Sequence, residues 1–306
     1  MKKILVATEK PFAKVAVDGI RKIVEDAGHK LELLEKYTSE AELLAAVAEV
    51  DAMIVRSDIV NQNVVNAAKN LKIVVRAGAG FDNLDLKACS EKNIVAMNTP
   101  GQNSNAVAEL AFGLMIYGIR KLFNGKSGTE LRDKNIGIHA YGNVGYYVAQ
   151  IAKGFGMKVY AFDPYVCSEK MKAEGIIPVE TVEELYKNCE FISLHIPANE
   201  QTKKSINKKL LSLMPKGAVL VNTARKEVIN EEELVETMSD RSDLIYLSDM
   251  ETSNKAVFAE KFAGRYFFTP KKMGAQTSEA NINAGMAAAR QIVDFFATGN
   301  ETFRVN

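Results

Sequence analysis

The chain has 306 residues, enough for two hydrophobic cores, and its 47% hydrophobic and 25% charged content excludes a disordered chain or a fibrous repeat. Thirty-nine Lys and Arg stand against 38 Asp and Glu, a formal charge of +1 that offers no electrostatic footprint for nucleic acid or a membrane surface. Cys89, Cys167 and Cys189 lie far apart without CxxC spacing, which indicates neither a disulfide framework nor a zinc site.

In chain order, the first apolar run, KILVAT at 3–8, is cut short by Glu9 and Lys10, too early for the core of a signal peptide. No later stretch approaches the roughly 18 uninterrupted apolar residues of a membrane helix, so a cytoplasmic, reducing location is expected. Further strands are predicted at 52–57, 72–78 and 93–98, alternating with helical patterns; near-continuous Val and Ile runs suit parallel strands covered on both faces. Asn98-Thr99-Pro100-Gly101 closes this first series of four, and a long apolar helix over about 103–122 leads to a second. Its strands are predicted at 135–142, 158–163, 191–197, 218–224, 244–249 and 266–270. A final helix over roughly 278–297 carries Ile282, Met286, Ala289, Ile292, Val293 and Phe296 at helical spacing and is expected to bridge back to the first domain. The pattern is α/β throughout. It predicts two doubly wound parallel-sheet domains, residues 1–98 with 286–306, and residues 99–285.

The strand from 135 runs into Ala140-Tyr141-Gly142-Asn143-Val144-Gly145 and then a helical pattern. This is a dinucleotide fingerprint with alanine in place of its first glycine: Gly142 lets the backbone approach a pyrophosphate, Gly145 allows close helix packing, and the helix N-terminus faces the negative charge. The next strand ends in Asp163, 21 residues beyond Gly142. A carboxylate there accepts from the adenosine ribose hydroxyls and repels a 2′-phosphate, so NAD is the expected cofactor rather than NADP.

The segments VVRAGAGFDNLD (74–85), VAMNTPGQNSNAVAELAFGLM (95–115), NIGIHAYGNVG (135–145), AFDPY (161–165), FISLHIP (191–197), AVLVNTAR (218–225) and FFTPKKMGAQTSEA (267–280) occur in the order found in the D-2-hydroxyacid dehydrogenases. The chain resembles that family over essentially its whole length. The resemblance implies a Rossmann dinucleotide-binding domain, a flavodoxin-like substrate domain, and hydride transfer between a 2-hydroxy acid and NAD. It implies that Arg225 grips the substrate carboxylate, for which a guanidinium fork is suited. It further implies that Asn143 and Val144 offer backbone groups to the pyrophosphate, that His195 and Pro197 line the adenosine side, and that Thr223, Ala224 and Asp249 face the nicotinamide, Asp249 accepting from its carboxamide. His195 also reads simply as a satisfied strand-end residue. His139, where the family has an apolar residue, has no functional account.

Two positions depart from the family pattern. Where most members have a histidine after Thr-Pro, this chain has Lys271 and Lys272, with one extra residue before Gly274; aligning from either side selects a different lysine. The glutamate that usually supports the histidine is replaced by Asn254, five residues after Asp249. The two losses agree, because an ammonium has no tautomer for a carboxylate to fix. One of the lysines is therefore the expected proton-transfer group. Free lysine titrates near 10.4, so base work at neutral pH requires burial or the neighbouring positive charge of Arg225, and otherwise an alkaline optimum.

Within the family the chain looks most like members that oxidise 3-phospho-D-glycerate to 3-phosphohydroxypyruvate at the head of serine synthesis. By that likeness Arg56-Ser57, and Arg76 before Ala79 and Gly80, reach the substrate phosphate and carboxylate, through charge-assisted bonds and free backbone N–H groups. Longer members append serine-binding domains, which are not expected here, and the family dimerises around the region of 103–128, so a homodimer is expected. Two rival readings stand beside this one. The first is a dehydrogenase for an unphosphorylated keto acid such as hydroxypyruvate or glyoxylate. The second is an NAD(H)-sensing binding protein without turnover.

Overall fold

The computed structural model describes all residues, Met1–Asn306, and the chain separates into two compact units, Met1–Asn103 with Gln276–Asn306, and Ser104–Ala275. The second crossing thus lies at 275–276, not at the expected 285–286. The helix Ser278–Thr298 is the reason: it does not bridge, but lies wholly in the first unit, where Ala284, Ala288, Ala289 and Ile292 pack against Ala16, Ile20 and Val24 of helix Lys14–Asp26.

The first unit is a parallel sheet of β1 (Lys3–Thr8), β2 (Lys30–Glu35), β3 (Ala52–Val55), β4 (Ile73–Arg76) and β5 (Val95–Asn98), in the order β2-β1-β3-β4-β5. This is the flavodoxin-like order. Alternation builds both faces at once: Ile4 and Val6 enter one hydrophobic cluster while Leu5 and Ala7 enter the other. There are five strands where four were expected. The additional one, β2, reads Lys-Leu-Glu-Leu-Leu-Glu, and as an edge strand it is only partly buried, so it lacks the continuous apolar run that marks its neighbours. At the opposite edge the C-terminal segment covers β5: Met97 bridges Arg304, and the Val305 N–H donates to the Ala96 carbonyl at 2.8 Å.

The second unit begins with the apolar helix Ser104–Ile119, which ends three residues before its expected limit because Lys121, Leu122 and Phe123 turn the backbone to positive φ. Its parallel sheet comprises β6 (Asn135–His139), β7 (Lys158–Phe162), β8 (Ile177–Pro178), β9 (Phe191–Leu194), β10 (Val219–Asn222), β11 (Ile245–Ser248) and β12 (Tyr266–Phe268). The order is β12-β11-β10-β9-β6-β7-β8, doubly wound with its reversal at β6. Only the two-residue β8 was not expected; it is too short to leave a pattern. Val219 and Val221 of β10 face one core, and Leu220 the other.

Candidate active site

The carboxyl ends of the second unit's strands gather the expected nucleotide and catalytic residues along one rim, which is where open α/β sheets bind ligands. In spatial order they follow β12 (Thr269–Gly274), β11 (Asp249), β10 (Thr223–Arg225), β9 (His195), β6 (Tyr141–Gly145) and β7 (Asp163).

After β6, Ala140 adopts a φ of +80°, the left-handed conformation for which the fingerprint ordinarily uses glycine. Gly145 is required by contact: a Cβ there would meet the Ala140 carbonyl oxygen at 2.4 Å and Ile138 Cγ2 at 3.0 Å. Gly142 faces open space, and it is the N-cap of helix Asn143–Gly154 without any side-chain cap. The first-turn N–H groups of that helix, from Asn143 and Val144 onward, therefore have no side-chain acceptor. Asp163 is held by two backbone donors, Tyr141 N–H to Oδ2 and Tyr165 N–H to Oδ1, both at 2.8 Å. Tyr141 is buried and its hydroxyl donates to Glu174 at 2.6 Å, fixing the loop from the other side.

One buried hydroxyl at this rim, Thr223 Oγ1, has no partner within the protein, and orphaned buried polar groups are rare in folded proteins. Together with the open Gly142 cradle, the uncapped helix and the anchored Asp163, it fits a dinucleotide.

After β9, His195 is partly buried with Nε2 2.9 Å from Ser193 Oγ, while Pro197 is exposed. Burial pushes the His195 pKa down to about 3, with His139 adding to the depression. His139 is a buried core residue whose Nδ1 lies 3.3 Å from the Tyr186 hydroxyl, and burial holds its pKa down at about 4. Both rings are therefore neutral at physiological pH.

The Asn-Thr-Ala-Arg turn after β10 is tied by a side chain that the sequence reading passed over. Asn222, fully buried, accepts from the Ala224 N–H at 3.0 Å and donates to the Arg225 carbonyl at 2.9 Å. A buried amide closing an apolar strand was the available signal. The Ala224 carbonyl then receives two cations, Arg225 Nη1 and Lys272 Nζ, each at 3.0 Å. Lys271 is exposed. The structure thus brings Lys272, of the two candidates, to Arg225. Asp249, at the end of β11, is fully buried, and its carboxylate is engaged from within the protein: Oδ1 accepts from Thr269 Oγ1 (2.9 Å) and the Met273 N–H (2.7 Å), Oδ2 from the Gly274 N–H (2.7 Å).

In the first unit, Arg56 and Arg76 stand at the ends of β3 and β4. The Arg56 guanidinium donates to the carbonyls of Lys10 (2.8 Å) and Pro11 (3.2 Å) and to Asn281 Oδ1 (2.6 Å), and it lies over the Phe12 ring. Arg76 Nε donates to the Arg56 carbonyl at 3.0 Å, and its guanidinium crosses Gly78 so closely that a Cβ there would overlap Nη1. Asn98, buried, donates to the Ala79 carbonyl at 2.6 Å and so shapes the loop through Gly80. Ser57 is exposed.

Residues 119–263 match the family model described as D-isomer specific 2-hydroxyacid dehydrogenase, NAD binding domain. A hydroxypyruvate reductase of Thermotoga maritima is 36% identical over 284 residues, covering 86% of this chain and 90% of that protein. The chain belongs to the D-isomer specific 2-hydroxyacid dehydrogenase family. It is an oxidoreductase of that family carrying its NAD-binding domain. A D-3-phosphoglycerate dehydrogenase of Methanocaldococcus jannaschii is 34% identical over 290 residues, 89% of this chain but 54% of that protein. The dehydrogenase thus spans about half the length of the curated phosphoglycerate dehydrogenases it matches. The crystal structure of an NAD+-bound 3-phosphoglycerate dehydrogenase of Entamoeba histolytica is 48% identical, covers 100% of this chain and 98% of that one, and superposes with a TM-score of 0.87. No helix of the dehydrogenase is long and apolar enough to cross a membrane.

Proposed function

We propose that this dehydrogenase oxidises 3-phospho-D-glycerate to 3-phosphohydroxypyruvate, with Arg225 holding the substrate carboxylate and Lys272 transferring the proton of the C2 oxygen. The observation that carries the chemistry is the shared Ala224 carbonyl, which places an ammonium beside a guanidinium fork. Bound NAD supplies the hydride acceptor. The protein's own work is then to grip the planar carboxylate through the fork and to take a proton from the hydroxyl as it becomes a carbonyl, or return it in the reverse direction. Lysine needs no carboxylate to orient it, which suits the presence of Asn254 where relatives have glutamate.

Arg56, Ser57, Arg76, Ala79 and Gly80 form the proposed phosphate-recognising part. Arg76 is seated over Gly78, and the Arg56 guanidinium serves three acceptors of its own unit. That same engagement favours one second reading, reduction of unphosphorylated hydroxypyruvate, the activity named for the Thermotoga maritima relative. The further assignment is to serine synthesis in the cytoplasm, consistent with three free cysteines. A homodimer is the proposed assembly, supported by the exposed aromatic side chains of Phe123, Tyr146, Tyr147 and Phe155 in the second unit.

The deciding experiment follows NADH absorbance at 340 nm with 3-phosphohydroxypyruvate, hydroxypyruvate and glyoxylate in parallel. Fast turnover of the phosphorylated acid alone is expected. Preference for an unphosphorylated acid overturns the phosphate assignment, and NADH binding without turnover identifies a sensor.

A further inference from the structure

Nothing in the sequence distinguished Asp249 from a cofactor contact, yet its carboxylate is closed from solvent and spent on the segment that carries the lysines. Thr269 precedes Lys272 by three residues; Met273 and Gly274 follow it directly. All three donate to Asp249. With one residue more than the family pattern between Thr269-Pro270 and Gly274, Lys271 and Lys272 lie in a loop after β12, and two adjacent flexible side chains there have no register of their own. Donors on both sides of them, fixed to one buried anion, supply that register. A carboxylate suits this better than an amide, because all three partners are donors and an ionised carboxylate is acceptor only. Room is limited as well: a Cβ on Gly274 would lie 3.0 Å from Asp249 Oδ2 and 3.1 Å from Val107 Cγ2, so a larger residue there would crowd the carboxylate.

We propose that Asp249 is a positioning residue that selects Lys272 over Lys271, by clamping residues 269–274 so that Lys272 Nζ reaches the Ala224 carbonyl. The inference rests on the reading of Lys272 as the proton-transfer group. Its structural half, which lysine is held, is tested without turnover.

The experiment compares wild type with Asp249→Asn and the milder Thr269→Val by two readouts, after thermal unfolding and NADH fluorescence confirm folding. The first is competitive acetylation of surface amines with peptide mass spectrometry. In wild type Lys272 is expected to react several-fold more slowly than Lys271; in Asp249→Asn, where the amide N–H₂ confronts a backbone N–H, the two rates converge. The second is steady-state kinetics. Asp249→Asn is expected to lower kcat about a hundredfold, the cost of a misplacement of about 1 Å, and Thr269→Val about fivefold, one lost hydrogen bond. The KM for NADH should move less than about threefold in both. A raised KM for NADH with kcat unchanged would show a cofactor contact and overturn the clamp. So would an acetylation contrast that survives Asp249→Asn. If the rates converge but Lys272→Ala turns over normally, the clamp stands and the reading of Lys272 falls.

Discussion

Lys272 and Arg225 donate to one oxygen: Nζ of the first and Nη1 of the second each lie 3.0 Å from the carbonyl of Ala224. The two nitrogens are therefore no farther apart than twice that distance. Asn222 fixes the turn that offers this carbonyl, and Asp249 fixes the loop that delivers the lysine. Two cations separated by 47 positions in the sequence thus share a single hinge of backbone.

The two lysines should separate cleanly on substitution. Lys272→Ala is expected to lower kcat by about 10²–10⁴-fold, the usual worth of a general acid–base group, with the KM for NADH little changed. Lys271→Ala should stay within about threefold of wild type, because it is Lys272, not Lys271, that donates to the Ala224 carbonyl beside Arg225. Equal effects of the two would place the proton transfer elsewhere.

Substrate choice is tested at Arg76. Arg76→Ala should raise the KM for 3-phosphohydroxypyruvate about tenfold or more while changing that for hydroxypyruvate far less, since one charge-assisted contact to a dianion is removed. Gly78→Ala should reproduce the direction of the effect, because its Cβ occupies the space of the Arg76 guanidinium.

Ala140 holds a φ of +80° without being glycine. Ala140→Gly should relieve a left-handed strain of about 1–2 kcal/mol, less a fraction returned by the more flexible unfolded chain. A rise in Tm of about 2–3 °C is the expected result by calorimetry. Dinucleotide binding should be retained.

Histidine burial gives stability a pH dependence with a definite sign. His139 and His195 have pKa values depressed to about 4 and about 3, below the unfolded value, so the unfolded chain binds protons that the folded one does not. Their contribution is complete above about pH 6.5 and is lost as the pH falls toward 4, at up to about 1.4 kcal/mol per pH unit for each ring. Tm measured from pH 8 to pH 5 should fall, and His139→Phe should flatten the decline. A profile that rises on acidification would contradict the neutral assignment.

How far the sequence reached is visible in particular residues. Apolar runs such as KILVAT and AVLVN mark their strands because both faces of a parallel sheet must be covered, and this local requirement is written locally. The half-exposed β2 escaped for the converse reason. Gly142, Gly145 and Asp163 were legible because a short strand–turn–helix unit sets their spacing, and the structure adds only the positive φ of Ala140.

What the sequence by itself determined was the α/β class, the fingerprint and the set of candidate groups. Tertiary structure alone decided which lysine meets Arg225, that Asp249 faces the lysine loop, that Arg56 is bound to Lys10, Pro11 and Asn281, and that the last helix lies wholly on the first unit. These are contacts between segments 20 to 225 positions apart. Strand and turn patterns record a residue's neighbours along the chain, whereas such pairings arise only when the order of strands in each sheet brings their carboxyl ends together.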